Sequence, residues 1–201
     1  MKSRLVLVLS VLVVLVVGGL AGRHYWAALV GGEHNTAAIG GPFTLIDHHG
    51  KTVTNADFQG KLMLVYFGYT YCPDVCPTAL TGIAEALDIL AGGADEVTPV
   101  FITVDPERDS SEAMADYVGV FYPTMVGLSG STDQVAAAAR AFRVFYAKVQ
   151  EKDGGPDDYV MDHSAYTYLM DRQGKFLVHF PHGADPAMMA QAARYNVDEG
   201  A

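Results

Sequence analysis

Residues 62–77 read LMLVYFGYTYCPDVCP, and this stretch decides the fold of the chain. Its first part, Leu62–Phe67, is an uninterrupted apolar run of strand length, which is typical of a strand buried on both faces of a sheet. Its second part holds both cysteines, Cys72 and Cys76, and leads into Pro77–Ala91, where apolar residues recur at helical spacing. Backbone N–H groups at a helix start favour a thiolate over a thiol. The stretch therefore predicts a strand, a turn and a helix, with reactive or metal-binding cysteines in the turn.

The rest of the chain alternates between strand and helix patterns. The predicted strands are Phe43–Ile46, Thr52–Thr54, Val97–Val104, Met125–Leu128, Tyr146–Val149, Tyr166–Asp171 and Lys175–Phe180. The predicted helices are Ser110–Phe121, Thr132–Phe142 and Asp185–Tyr195, and the polar segment Gln150–Asp158 predicts a loop. This order predicts an α/β protein with a thioredoxin-like fold, an N-terminal β-hairpin extension and one N-terminal transmembrane helix.

The N-terminus predicts a membrane anchor. Residues 5–22 are almost wholly apolar and follow basic residues, which favours a span whose short N-terminus, residues 1–4, stays in the cytoplasm. A cleaved signal peptide is the alternative, although its apolar region is usually shorter, about 7–15 residues. Residues 23–39 would then be a linker, and residues 40–201 one domain on the extracytoplasmic side of the cytoplasmic membrane.

The charge of the chain bears on its partners. The formal net charge is −10, which argues against nucleic acid, because nucleic-acid binding calls for basic patches. No internal repeat is evident, and we expect a monomer.

Three interpretations of the cysteine pair remain open from the residues themselves. A structural disulfide would close only a five-residue loop, which stabilises by about 2 kcal/mol, less than a longer loop would. Reversible dithiol chemistry fits the position at a helix start, although thiol oxidoreductases usually separate their cysteines by two residues rather than three. A metal site is the third interpretation, because soft thiolates one turn apart select Cu(I) or Zn(II).

A metal site needs a third ligand from elsewhere in the chain. The candidates are seven histidines and eight methionines. His163 is distinctive because it follows the polar loop and immediately precedes the apolar strand pattern that begins at Tyr166. A residue at such a junction can point into a cleft beside a neighbouring strand–helix turn.

Four stretches resemble, in the same order, the motifs of the Sco/SenC family of copper proteins. The first is the cysteine motif YTYCPDVCP at residues 69–77, and the second is TVDPERD at residues 103–109. The third is DYVMDHS at residues 158–164, followed by YLMD at residues 168–171, and the fourth is FPHG at residues 180–183. Together they span most of residues 40–195. Tyr69 and Tyr71 depart from the pattern, since the family often has Phe and His there.

The resemblance implies a function and a site. It implies a membrane-anchored copper chaperone, not an enzyme, that assists assembly of the binuclear copper centre in subunit II of cytochrome c oxidase. Cys72, Cys76 and His163 would bind Cu(I), Cu(II) or both. From the residues themselves, Asp74 is a candidate either to tune the thiols by its charge or to cap the helix, and Asp162 either to orient the imidazole of His163 by a hydrogen bond or to be a surface acid. A periplasmic copper carrier and a thiol reductase are the further partners that the resemblance implies.

A second hypothesis uses the same cysteines differently. A thiol-disulfide reductase would cycle Cys72 and Cys76 between dithiol and disulfide, and so keep the oxidase cysteines reduced for metallation. His163 would then be dispensable. A peroxiredoxin-like peroxidase fits less well, because it requires a single peroxidatic cysteine in a different local setting.

Overall fold

The computed structural model describes residues 39–150, 155 and 158–199. The predicted anchor at residues 5–22 and the linker up to residue 38 lie outside the described residues. Within the described part of the chain, one helical stretch, Val75–Glu96, is long and apolar enough by composition to cross a membrane. Its apolar residues Leu80, Ile83 and Leu87 belong to the core of this domain, so it is a core helix.

The described residues form an α/β fold, as the sequence predicts. The strands are β1 (Thr44–Asp47), β2 (Thr52–Thr54), β3 (Leu62–Gly68), β4 (Val97–Thr103), β5 (Val126–Ser129), β6 (Tyr146–Gln150), β7 (Tyr159–His163), β8 (Tyr166–Met170) and β9 (Phe176–Pro181). The helices are α1 (Val75–Leu90), α2 (Ser111–Phe121), α3 (Thr132–Phe142) and α4 (Pro186–Glu199). Short 3-10 helices cover Asn55–Phe58 and Ala91–Glu96.

Strand β3 is central to the main sheet, whose seven strands run in the order β2-β1-β5-β4-β3-β8-β9. All of its residues are buried, which explains why its sequence is uniformly apolar rather than alternating. It pairs in parallel with β4 and antiparallel with β8. The hairpin of β1 and β2 joins the sheet through an antiparallel pairing of β1 with β5, so the predicted N-terminal hairpin extends the sheet at one edge.

Successive residues of β3 point to opposite faces of the sheet, and helices cover both faces. The ring of Tyr66 stacks on Phe101 of β4, which in turn contacts Tyr117 of α2. The next residue, Phe67, contacts Phe142 of α3 instead. Because β3 is covered on both faces, the turn that follows it emerges from a rigid base.

Strands β6 and β7 form a separate antiparallel ribbon that the sequence analysis only half predicts. The sequence predicts β6, whereas it predicts no element for residues 159–165. In the structure β7 has alternating burial, with Tyr159 and Met161 inward and Val160 and Asp162 outward. His163 is thus the last residue of a paired strand.

Candidate metal centre

Cys72, Cys76 and His163 converge on one point of the structure. Their ligand atoms all lie within 4.8 Å of one another, and they are the one such group of potential metal ligands among the described residues. The Sγ atom of Cys76 lies 3.4 Å from Nε2 of His163, although the two residues are 87 positions apart in the chain. Two sulfur atoms and one imidazole nitrogen therefore face a common centre.

The turn between β3 and α1 places the two sulfurs. Cys76 is the second residue of α1 and is fully buried, whereas Cys72 lies in the turn and is partly exposed. The backbone N–H of Cys76 donates a hydrogen bond to Sγ of Cys72 at 3.3 Å, as expected of a sulfur held at a helix N-terminus. Both cysteines are free thiols in this structure.

The two thiols have opposite pKa shifts. Hydrogen bonds from the Cys76 thiol and from backbone N–H groups lower the pKa of Cys72 to about 3, against the effect of partial burial. The same Cys72 thiolate, together with burial, raises the pKa of Cys76 above its usual value. The pair therefore shares one proton at neutral pH, with the charge on the partly exposed sulfur.

We expect alkylation to distinguish the two sulfurs. Iodoacetamide should modify Cys72 first, because Cys72 is the exposed thiolate. Since its pKa is lowered, its rate should change less than about two-fold from about pH 8 to about pH 5, whereas an ordinary cysteine slows about 1,000-fold. Peptide mass spectrometry after timed labelling measures the order in which the two cysteines are modified and the pH dependence of the Cys72 rate. Earlier labelling of Cys76, or a steep loss of Cys72 labelling in acid, would contradict this assignment.

His163 is oriented by its neighbours. Its Nδ1 lies 3.3 Å from the carbonyl oxygen of Ser164, so an Nδ1–H donating there leaves the lone pair of Nε2 directed at Cys76. The imidazole also contacts the rings of Tyr66 and Tyr69 edge-on, at 6.1 and 6.0 Å between centroids. These contacts fix the orientation of the ring, with Nε2 toward the sulfurs.

Gly68, the last residue of β3, allows the close approach of α1 to the sheet. A Cβ atom at this position would lie 2.7 Å from Sγ of Cys76 and 2.9 Å from Cε2 of Phe101. Both of these residues are fully buried, so neither can move aside easily. No sequence pattern marks this glycine, because the contact depends on how α1 packs.

We therefore expect Gly68→Ala to destabilise the fold by about 1–3 kcal/mol, the usual cost of overpacking a core. Gly119→Ala in α2 is the matched control, because a Cβ there meets no atom within 4 Å. This control should be neutral or slightly stabilising. Urea unfolding of both variants measures the difference, and equal stabilities would show that the helix has room to adjust.

A buried carboxylate that the sequence analysis missed holds the cysteine turn. Asp109 is fully buried and accepts hydrogen bonds from the backbone N–H and the hydroxyl of Thr70, at 3.0 and 2.6 Å. The same carboxylate accepts a hydrogen bond from the hydroxyl of Thr103, at the end of β4, at 2.6 Å. Burial raises the pKa of Asp109 in spite of these donors. The turn is thus tied to the neighbouring strand two residues before Cys72.

The two acids singled out in the sequence lie outside this cluster. Asp74 is exposed and accepts a hydrogen bond from the Thr78 hydroxyl at 3.4 Å, while its backbone N–H acts on the Cys72 sulfur. Asp162 is exposed on the outward face of β7, so it alternates with Met161 and His163 on the inward face. The Nδ1 atom of His163 faces the carbonyl oxygen of Ser164 rather than Asp162.

The site is suited to two kinds of chemistry. Two thiolates and one imidazole are a soft donor set that favours Cu(I) or Zn(II) over hard cations. Two nearby thiols, one exposed with a low pKa and one buried, also suit reversible disulfide exchange.

Comparison with known proteins places the chain among its relatives. The model of the family described as SCO1/SenC matches residues 31–197. A Schizosaccharomyces pombe protein, "Protein sco1", is 44% identical over 155 residues, which are 77% of this chain and 59% of that protein. The chain therefore spans less than two thirds of that relative.

Solved structures agree with the same relationship. Arabidopsis thaliana ScoI with copper bound has a TM-score of 0.75 and 39% identity, covering 81% of this chain and 99% of that one. Bradyrhizobium japonicum ScoI with copper bound has a TM-score of 0.72 and 46% identity, covering 79% and 99%. The thioredoxin-like fold expected from the sequence is thus confirmed, and the extent of the family match shows that this chain belongs to the SCO1/SenC family.

Proposed function

We propose that this protein is a copper chaperone that carries its cargo on Cys72, Cys76 and His163. The observation that carries the proposal is the convergence of two sulfurs and one imidazole nitrogen within 4.8 Å. That donor set suits Cu(I), and similar proteins were solved with copper bound.

The geometry suggests an order of binding. Cys72 is partly exposed and carries the thiolate, so it meets incoming copper first. Cys76 is buried and protonated, so its proton must leave to solvent as its sulfur binds the metal. His163 then closes the site through Nε2, the ring nitrogen that faces the sulfurs. For release, an acceptor thiol would approach the copper from the side of the partly exposed Cys72, and Cys76 would regain a proton as its sulfur loses the metal.

The proposed client is the binuclear copper centre of cytochrome c oxidase subunit II, as the family motifs imply. The predicted anchor at residues 5–22 would hold the domain at the outer face of the cytoplasmic membrane, where such a client is assembled. A periplasmic copper carrier would supply the metal, and a thiol reductase would keep Cys72 and Cys76 reduced.

A transfer assay tests the proposal. The Cu(I)-loaded full chain is mixed with the reduced, copper-free soluble domain of subunit II, and the absorption of the binuclear centre is followed after oxidation. We expect that absorption to appear only with the loaded chain. Retention of copper by the chain, with no centre formed, would contradict delivery to this client.

Thiol-disulfide reduction is the second candidate, and the split between the two cysteine pKa values favours it. Cys72 would attack a client disulfide to form a mixed disulfide, and Cys76 would lose its proton and displace the client thiolate. The client gains two electrons, and the Cys72–Cys76 pair becomes a disulfide. This chemistry does not use His163.

A further inference from the structure

A cluster beside the metal centre surrounds the side chain of Arg108. We define the arginine clamp as Arg108, Asp105, Tyr69, Tyr71 and Tyr159. Arg108 follows β4, and its side chain is only 17% exposed. The clamp joins three segments of the chain that are distant in sequence: the cysteine turn, the end of β4 and the start of β7.

The guanidinium of Arg108 is held on several sides. Its Nε donates to Asp105 at 2.5 Å, and its Nη1 donates to the backbone oxygen of Tyr159 at 3.0 Å. Its Cζ lies 3.6 Å from the ring centroid of Tyr159 and 4.8 Å from that of Tyr71. A cation at such distances from aromatic rings is attracted to both.

The partners of this guanidinium flank the proposed copper ligands. Tyr71 immediately precedes Cys72, and Tyr69, whose centroid lies 5.8 Å from Cζ, contacts the ring of His163. Tyr159 begins β7, the strand that ends at His163, and its hydroxyl donates to Asp105 at 2.9 Å. One side chain thus contacts both the turn that carries a thiolate and the ribbon that carries the imidazole.

We propose that Arg108 is the positioning residue that holds the β6–β7 ribbon, and with it His163, against the two cysteines. This inference rests on the proposed function, because it concerns the third ligand of the same copper site. Arg108 touches neither sulfur nor copper in this account, and it acts only through the position of His163. The cysteine turn is secured independently by Asp109 and Thr70, so loss of Arg108 should release the ribbon and leave the cysteines in place.

The chemistry of the clamp calls for arginine rather than another cation. A planar guanidinium can donate along its edge to Asp105 and to the Tyr159 carbonyl while its face contacts aromatic rings. An ammonium group is a compact point charge and cannot do both at once. Arg108→Lys should therefore keep the charge and the fold but not the clamp.

The test compares Arg108→Met and Arg108→Lys with a matched control, Arg172→Met. Arg172 is similarly buried and makes the same kinds of contact, with Glu96 at 2.7 Å and the Gly60 carbonyl at 2.8 Å, but it touches no clamp residue or ligand. Cu(I) affinity of the full chain is measured by competition with a chromophoric chelator. We expect about a 10- to 100-fold loss in both Arg108 variants, and no loss in the control.

Two further readouts separate positioning from a general effect on stability. In the His163→Ala background, Arg108→Met should cause no additional loss of Cu(I) affinity, because it acts through the imidazole. In the copper-free chain, Arg108→Met should speed hydrogen exchange in β7 but not in β3. An additional loss in the His163→Ala background, or unchanged affinity in both Arg108 variants, would overturn the inference. Absence of Cu(I) binding by the parent chain would instead refute the proposed function, while the exchange experiment would still test the clamp.

Discussion

Replacing Cys72 with serine should abolish tight Cu(I) binding and thiol-disulfide reduction together. A serine hydroxyl is a hard, protonated group at neutral pH, so it supplies neither a soft ligand nor a nucleophilic sulfur. We expect affinity for Cu(I) to fall about 1,000-fold or more, which is about 4 kcal/mol. Cys72 is the better target of the pair, because it is partly exposed and its loss leaves the core intact.

A measurement of folding stability shows whether a loss of copper binding in this variant comes from the missing sulfur or from unfolding. The free energy of unfolding of Cys72→Ser, measured in urea, should match that of the parent chain to within about 1 kcal/mol, because the side chain is only partly buried and serine is similar in size. Cys76→Ser should also lose copper, but it places a hydroxyl at a fully buried position and should be less stable. Near-parental Cu(I) affinity in folded Cys72→Ser would exclude this sulfur from the site.

Replacing His163 with alanine should separate the two candidate functions. We expect Cu(I) affinity to fall at least about 100-fold, or about 2.7 kcal/mol, because one of three ligands is lost. The rate at which the variant reduces a small disulfide should stay within about three-fold of the rate of the parent chain, since neither thiol is removed. Chelator competition and a disulfide reduction assay on the same preparation measure both quantities.

His182→Ala is the matched control for that experiment. His182 is exposed in the turn after β9 and is not part of the ligand group. Both activities should be unchanged in this variant. Unchanged copper affinity in His163→Ala would exclude the imidazole as a ligand, and equal loss of both activities would show that His163 serves the thiols rather than the metal.

The fold was largely predictable because its strongest signals are local. The apolar run at β3 and the helical spacing in α1 each reflect burial in one element, and both are confirmed. Strand β7 was missed because it is short and lies next to a polar loop. Its signal was present in the alternation of Tyr159 and Met161 with Val160 and Asp162, which burial in the structure reproduces.

The candidate site was only partly predictable from the residues themselves. Cys72 and Cys76 are neighbours in sequence, so a turn before a helix brings their sulfurs together. His163 lies 87 residues from Cys76. Its position at a loop–strand junction makes it a candidate, and the family resemblance selects it among the histidines. The supporting roles of Asp109 and Arg108 depend on contacts between segments distant in sequence, such as the 3.6 Å approach of Arg108 to the Tyr159 ring. No local pattern encodes such a contact.

X-ray absorption at the copper edge of the Cu(I)-loaded full chain tests the central claim most directly. The account predicts one copper per chain with two sulfur neighbours and one nitrogen neighbour, and loss of the nitrogen in His163→Ala. A copper bound by sulfur alone in the parent chain, or a spectrum that His163→Ala leaves unchanged, would contradict a site made by Cys72, Cys76 and His163.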